Sequence, residues 1–178
     1  MPPETTIDTA RLTLRPLRAD DIDDLLPEID DYAVASMLAR VPFPYGRADA
    51  LAYLDLVERN RGRDLALAVA RDGRVIGGIG LTAIGTVNEL GYWIGHRHWG
   101  EGLATEAVVA FLGHAFGPLG LDVVRSGVFL DNPRSLRVQE KLGFLRVGSR
   151  PVHCLARGVE VAHIDTMLRR ERFLERRR

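Results

Sequence analysis

Cysteine is almost absent from this chain: Cys154 is the only one in 178 residues. That excludes an intramolecular disulfide and a cysteine-built zinc site. Lysine is equally scarce, with Lys141 alone beside an otherwise all-arginine basic set. Basic and acidic side chains cancel at 24 each, so no excess charge marks a nucleic-acid or membrane partner. No apolar run approaches the roughly 20 residues that cross a bilayer. The first residues form no charged-then-apolar leader, and a cytoplasmic location is the expectation. Of the five histidines only His96 and His98 share a loop, so no metal is expected. What is plentiful is apolar: 46% hydrophobic content is enough to bury a core, and the length fits one domain over residues 1–178.

Arg11 to Arg15 alternates in the strand period, with Leu12 and Leu14 on one face. Asp20 is placed to cap a helix carrying Ile22, Leu25, Leu26 and Ile29 at helical spacing. A short helical piece from Tyr32 to Leu38 precedes a proline-broken loop through Val41 and Tyr45, and helix resumes from Ala48 to Arg61. Two strands, Leu65 to Ala70 and Arg74 to Leu81, are joined by the hairpin signal Asp72-Gly73. A strand from Asn88 to Ile94 follows, then a helix from Gly102 to Phe116 with Leu103, Ala107, Phe111 and Ala115 along one stripe. Val123 to Phe129 reads as strand and Pro133 to Leu142 as a helix that Gly143 ends. Two strands, Leu145 to His153 and Val159 to Leu168, complete an α+β pattern. The tail from Arg169, six arginines in ten residues, reads as a frayed helix facing solvent; its interspersed glutamates argue against a DNA-binding role.

The segment Arg97-His98-Trp99-Gly100-Glu101-Gly102-Leu103-Ala104-Thr105 joins a strand to a helix. Two glycines allow a tight turn and close ligand approach, and the helix N-terminus offers free N–H groups and positive dipole to an anion. A pyrophosphate is the chemistry such a turn suits, without a metal. Gly78-Ile79-Gly80-Leu81-Thr82-Ala83 also matches a dinucleotide fingerprint, but the helix that fingerprint requires does not follow. Those glycines read as close packing in a strand. No Gly-Lys-Ser/Thr follows any glycine run, which excludes a P-loop.

Thr9 to Leu17, Gly91-Tyr92-Trp93-Ile94-Gly95, Trp99 to Ala107, Asp131-Asn132-Pro133-Arg134-Ser135 and Glu140-Lys141-Leu142-Gly143-Phe144, in this order, resemble the GCN5-related N-acetyltransferase (GNAT) superfamily. More narrowly they resemble its RimJ/RimL-type ribosomal-protein branch. The resemblance implies a GNAT fold: a mixed, mostly antiparallel seven-stranded sheet splayed between its fourth and fifth strands, with about four flanking helices. Acetyl-CoA would lie in the splay as co-substrate. Its pyrophosphate would take backbone N–H groups from Arg97 through Trp99, Gly100, Glu101, Gly102, Leu103 and Ala104 to Thr105. Backbone near Trp93 and Ile94 would pair with the pantetheine arm, and Asn132 would reach it from the other side.

The same resemblance implies direct acyl transfer to a primary amine with both substrates bound. Ser135 is then the candidate proton donor to the sulfur, Ile94 N–H the donor to the acyl oxygen, and Glu89 the candidate base. Each has a plainer reading: Asn132-Pro133 is a good N-cap and first helical pair with Ser135 in the same turn, and Glu89 suits a solvated strand edge. Many superfamily members carry a tyrosine acid where this chain has Gln139, so that mechanism does not carry over. Tyr32, Phe43, Tyr45 and Trp93 are candidate acceptor-pocket residues. Glu106 reads as a first-turn residue favoured by the helix dipole, and Cys154 as inert packing. The acceptor could be a protein N-terminus or a small amine, the donor acetyl- or succinyl-CoA, and a homodimer is left open. The alternative function is a catalytically weak acyl-CoA-binding module.

Overall fold

A computed structural model describes residues 5–177. Eight strands form one sheet: β1 (Ile7–Asp8), β2 (Thr13–Arg15), β3 (Leu65–Arg71), β4 (Arg74–Thr82), β5 (Glu89–Ile94), β6 (Val123–Phe129), β7 (Leu145–Cys154) and β8 (Val159–Arg169). Their order is β1-β2-β3-β4-β5-β6-β8-β7. Every pairing is antiparallel except β5 with β6. That parallel pair has a single register contact, Glu89 with Arg125, and beyond it the strands diverge. The expected splay is therefore present.

The expected seven strands are eight because the chain makes an extra short strand before Arg11. Thr9 closes the turn, its Oγ1 accepting from Leu12 N–H at 2.9 Å. Glu106 holds the same turn, accepting from Thr9 Oγ1 at 2.7 Å and Arg11 N–H at 2.9 Å.

The helices are α1 (Ile22–Ile29), α2 (Tyr32–Ala35), α3 (Arg47–Arg59), α4 (Leu103–Phe116), α5 (Pro133–Leu142) and α6 (Arg170–Glu175). Before α1 a 3-10 turn, Ala19–Asp21, replaces the expected Asp20 cap: the Asp21 carboxylate accepts from Arg18 N–H at 2.8 Å, and no side chain caps α1 itself. Helix α4 lies against one sheet face. Its predicted stripe of Leu103, Ala107, Phe111 and Ala115 is at most 1% exposed, packed with Leu14, Val69, Leu81 and Ile94. Helices α1 and α3 cover the other face, with Ile22, Leu25 and Ala50 clustered against Ala68 of β3. No described helix is long and apolar enough to cross a membrane.

The tail departs from its expectation. Phe173 is buried in α6 against Phe116, ring centroids 5.3 Å apart. Arg172 donates to Gly143 O at 2.7 Å and Arg176 to Lys141 O at 3.1 Å. One apolar residue thus docks the segment, and its arginines satisfy carbonyls at the end of α5. Arg178 lies outside the described residues.

Candidate functional site

The glycine turn forms as its sequence predicts. After β5 a single 3-10 turn, His96–His98, leads to Gly100 (φ 84°) and Gly102 (φ 79°). Both are in the left-handed region where side chains are strained. Helix α4 starts at Gly102 with no side-chain cap, so its first N–H groups keep their donor capacity. Gly100, Gly102, Leu103, Ala104 and Thr105 line a cleft of about 1530 Å³. The neighbouring carboxylates turn away from it. Glu101 pairs with Arg71 at 2.7 Å, and that hydrogen bond holds its carboxyl below the usual range. Glu106 pairs with Arg11. A dipole end without an acid beside it suits an anion.

The expected contribution of Arg97 is its backbone N–H, and its side chain is occupied elsewhere. It reaches back to Glu28 of α1, and His98 Nε2 lies 3.4 Å from the same carboxylate oxygen. Glu28 is buried and crowds Gly95, where a Cβ would lie 1.9 Å from its carboxylate. Arg97 therefore anchors the turn to α1 from outside the cleft. Trp99 lines the cleft; its indole donates to Ile94 O at 2.7 Å, and Arg134 stacks over its ring at 4.8 Å.

Beyond Leu90 the β5 edge facing β6 has lost its strand partner. Gly95 N–H bonds Ile76 O on β4, so strand alternation turns the Trp93 backbone toward β4 and the Tyr92 and Ile94 N–H groups toward the gap. Ile94, not Trp93, thus presents its backbone there. Ser126 Oγ donates to Leu90 O at 2.9 Å. Gln139, fully buried, donates to Ser126 Oγ at 2.9 Å and accepts from Thr166 Oγ1 at 2.7 Å. The residue that departs from the superfamily tyrosine is a structural link between α5, β6 and β8.

Across the gap, Asn132 Oδ1 accepts from Ser135 N–H at 3.1 Å. The N-cap reading is therefore what this oxygen does, and the amide NH₂ is left for other partners. Ser135 Oγ lies 2.8 Å from Tyr92 Oη. Tyr92 had no expected role. Burial pushes its phenol up to about 12, so it is neutral and keeps its proton at ordinary pH. Also missed were Arg134, Arg137 and Lys141, which line the cleft from α5; their spacing of three and four residues is a legible helix face. Beside them, Arg157 forks onto Asp131 at 2.6 and 3.2 Å and donates to Ser36 O at 2.7 Å. That hydrogen-bonded pairing lowers the Asp131 carboxyl.

Strand alternation puts Glu89 and Trp93 on the α3 side, and both line the cleft there with Tyr45. Tyr32 and Phe43 do not line it. They stack edge-on with centroids 5.3 Å apart, half-exposed at the surface, each covering the other.

The family profile for an acetyltransferase (GNAT) domain matches residues 11–145. An uncharacterised N-acetyltransferase, p20 of Bacillus licheniformis, is 29% identical over 93% of this chain and 97% of its own. Among solved structures, Mycobacterium smegmatis RimJ in complex with CoA-disulfide superposes with a TM-score of 0.81 at 19% identity, over 94% of this chain and 87% of that one. Spermidine N-acetyltransferase from Vibrio cholerae, in complex with CoA and spermine, gives 0.77 at 20% identity over 93% and 99%.

Proposed function

The chain belongs to the GNAT acetyltransferase family, and we propose that it moves an acetyl group from acetyl-CoA to a primary amine while both are bound. One observation carries this reading: a continuous cleft joins an uncapped, glycine-built helix N-terminus to the Tyr92–Ser135 pair through the open β5–β6 gap. The M. smegmatis and V. cholerae neighbours, each in complex with a CoA species, support the choice of co-substrate.

The residues present fit that co-substrate. N–H groups of Gly100, Gly102 and Ala104 hold its pyrophosphate, and Arg137 and Lys141 face the same charge from α5. Tyr92 and Ile94 backbone groups and the Asn132 amide hold the pantetheine arm as a strand partner would. Acetyl-CoA, when bound, supplies the acetyl group as an activated thioester and leaves as the thiol. Ile94 N–H is aimed at the acyl oxygen. Glu89 takes a proton from the incoming ammonium, directly or through water. Ser135 Oγ, oriented by the protonated Tyr92 phenol, holds the proton that the departing sulfur requires.

Calorimetric titration with acetyl-CoA and succinyl-CoA, followed by thiol-release assays with primary amines, tests this. Micromolar binding and amine-dependent thiol release are expected. Tight binding with no release for any amine would leave only an acyl-CoA-binding module, and no binding would remove the reading altogether.

A further inference from the structure

The cleft is wider than a pantetheine arm needs, and the surplus lies between α3 and the sheet. Asp49, Ala52, Tyr53, Leu56, Val57 and Asn60 of α3 line it. Their spacing of three and four residues makes one helix face. This face is not the one holding α3 to the core, which is done by Ala50 and Leu54. Tyr53 and Leu56 remain 43% and 52% exposed. A large apolar surface left uncovered beside a site marks a binding surface.

Opposite this roof the sheet is carpeted with small residues. Ala68 pairs with Gly78, and Gly80 lies between Ala66 and Gly91. This is where the glycines that mimic a dinucleotide fingerprint sit. A Cβ on Gly78 would stand 2.7 Å from the Trp93 indole nitrogen, and one on Gly80 2.7 Å from Leu65 O. At Gly91 a Cβ would meet nothing within 4 Å. The lobe has an apolar roof and a flat floor, with free depth above Gly91.

Three carboxylates line it, and two of them accept backbone N–H groups. Asp49 accepts from Gly46 N–H at 2.8 Å and Asp64 from Ala83 N–H at 2.9 Å. Glu89, two residues from Gly91 on the same face, has no such partner among the described residues. Arg40 and Arg63 also line the lobe. One free carboxylate suits one ammonium, and the arginines oppose a second.

Resting on the acetyl-transfer reading above, we infer that the acceptor is a primary amine on an apolar, ring-sized body, and not a polyamine. The ammonium lies at Glu89 and the body between Tyr53, Leu56 and the glycine floor. In the transfer the acetyl–sulfur bond is exchanged for an acetyl–nitrogen bond. The ammonium nitrogen loses two protons: one goes to Glu89 or solvent, and the other is balanced by protonation of the sulfur.

The test compares kcat/KM for 2-phenylethylamine and hexylamine with putrescine and spermidine, with a phenylalanyl dipeptide separating a free amine from a peptide N-terminus. An apolar preference of at least about 10-fold is expected. Gly91→Leu fills the lobe and Leu56→Glu charges its roof. Each is expected to raise KM for 2-phenylethylamine about 10-fold while acetyl-CoA affinity, read by calorimetry, stays within about twofold. Spermidine turned over as well as 2-phenylethylamine would overturn the inference. So would tight acetyl-CoA binding with apolar amines that neither react nor bind the CoA complex; the acetyl-CoA reading would survive that result. If acetyl-CoA itself fails to bind, that reading falls. Binding of 2-phenylethylamine to the protein alone, present in the parent chain and lost in Gly91→Leu, then supports the lobe, and its absence refutes it.

Discussion

Removing the Tyr92 hydroxyl tests whether Ser135 works alone or as half of a pair. The two oxygens are 2.8 Å apart, and burial raises the phenol to about 12, so Tyr92 keeps its proton throughout the working pH range. In Tyr92→Phe the Ser135 hydroxyl keeps its own proton and loses the partner that orients it. A neutral, half-buried hydrogen bond contributes about 1 kcal/mol to stability, which corresponds to a fall in Tm of about 2–4 °C for a chain of this size. A positioned acid contributes about 10²–10⁴-fold in rate. Ser135→Ala is expected at the low end, about 10²-fold in kcat, and Tyr92→Phe at about 10-fold. The double variant should be no slower than Ser135→Ala, because residues acting as a unit are not additive. Thiol-release kinetics at saturating acetyl-CoA read all four corners of the cycle. Independent, multiplicative losses would refute the pairing, and an unchanged kcat in Ser135→Ala would refute the donor role itself. The raised phenol also predicts no basic limb in the kcat profile of Tyr92 origin near its ordinary value of about 10.

Gln139→Leu takes the acceptor from the buried Thr166 hydroxyl and the donor from Ser126 Oγ, which keeps Leu90 O; at about 1–3 kcal/mol for the stranded hydroxyl and about 1 for the other bond, urea denaturation should show a loss of about 2–4 kcal/mol, and a loss under about 1 would contradict the network. Gly127→Ala puts a Cβ 2.1 Å from the His163 ring and 2.8 Å from Ile164 O; the ring can turn but the carbonyl cannot, so about 1–3 kcal/mol of destabilisation by thermal melting is expected. Arg137→Ala with Lys141→Ala should weaken acetyl-CoA binding about 3–10-fold at low salt and less at high salt, with equal salt dependence in parent and variant counting against the assignment. Burial pushes the Asp21 carboxyl up, but the Arg15 guanidinium and Arg18 N–H outweigh it, and its net shift is downward. Its stabilising contribution is therefore present above the ordinary carboxylate range and lost as pH falls through the lowered value; Asp21→Asn should flatten the acid limb of the stability curve, and an unaltered limb would assign it elsewhere.

The backbone-defined part of the site was legible because local rules suffice for it. Gly100 and Gly102 sit between a strand and an apolar-striped helix, so their left-handed turn and the uncapped helix start follow from spacing alone. Side-chain choices made over long sequence distances were not legible. Arg97 lies in the turn by sequence, and the partner of its side chain, Glu28, is 69 residues away. Tyr92 meets Ser135 across 43 residues, a contact created only by β5 and α5 facing one gap. Tyr32 and Phe43 satisfy one another, an option any two loop aromatics have and no periodicity reveals. In the tail, Phe173 was the signal: one aromatic among arginines is enough to dock a helix that charge alone would leave in water.

The residue that breaks the superfamily pattern sits at the rim of the open gap. A parallel ladder continuing past Asn88, whose carbonyl accepts from Arg125 N–H at 3.0 Å, would next give Leu90 O to an amide of β6. Ser126 Oγ takes that carbonyl instead, and Gln139 fixes the hydroxyl while Thr166 fixes Gln139. The chain ends the ladder with a side chain that pairs the Leu90 carbonyl, so the divergence costs little there. Trp99 satisfies Ile94 O in the same manner. What remains on the β5 edge is the Tyr92 backbone pair and the Ile94 N–H, which is the hydrogen-bonding pattern an extended ligand strand requires. A tyrosine at position 139 could not bridge Ser126 and Thr166 as donor and acceptor on two separate atoms. The glutamine therefore secures the last rung before the gap by its amide, and the hydroxyls on the gap's two walls are those of Tyr92 and Ser135.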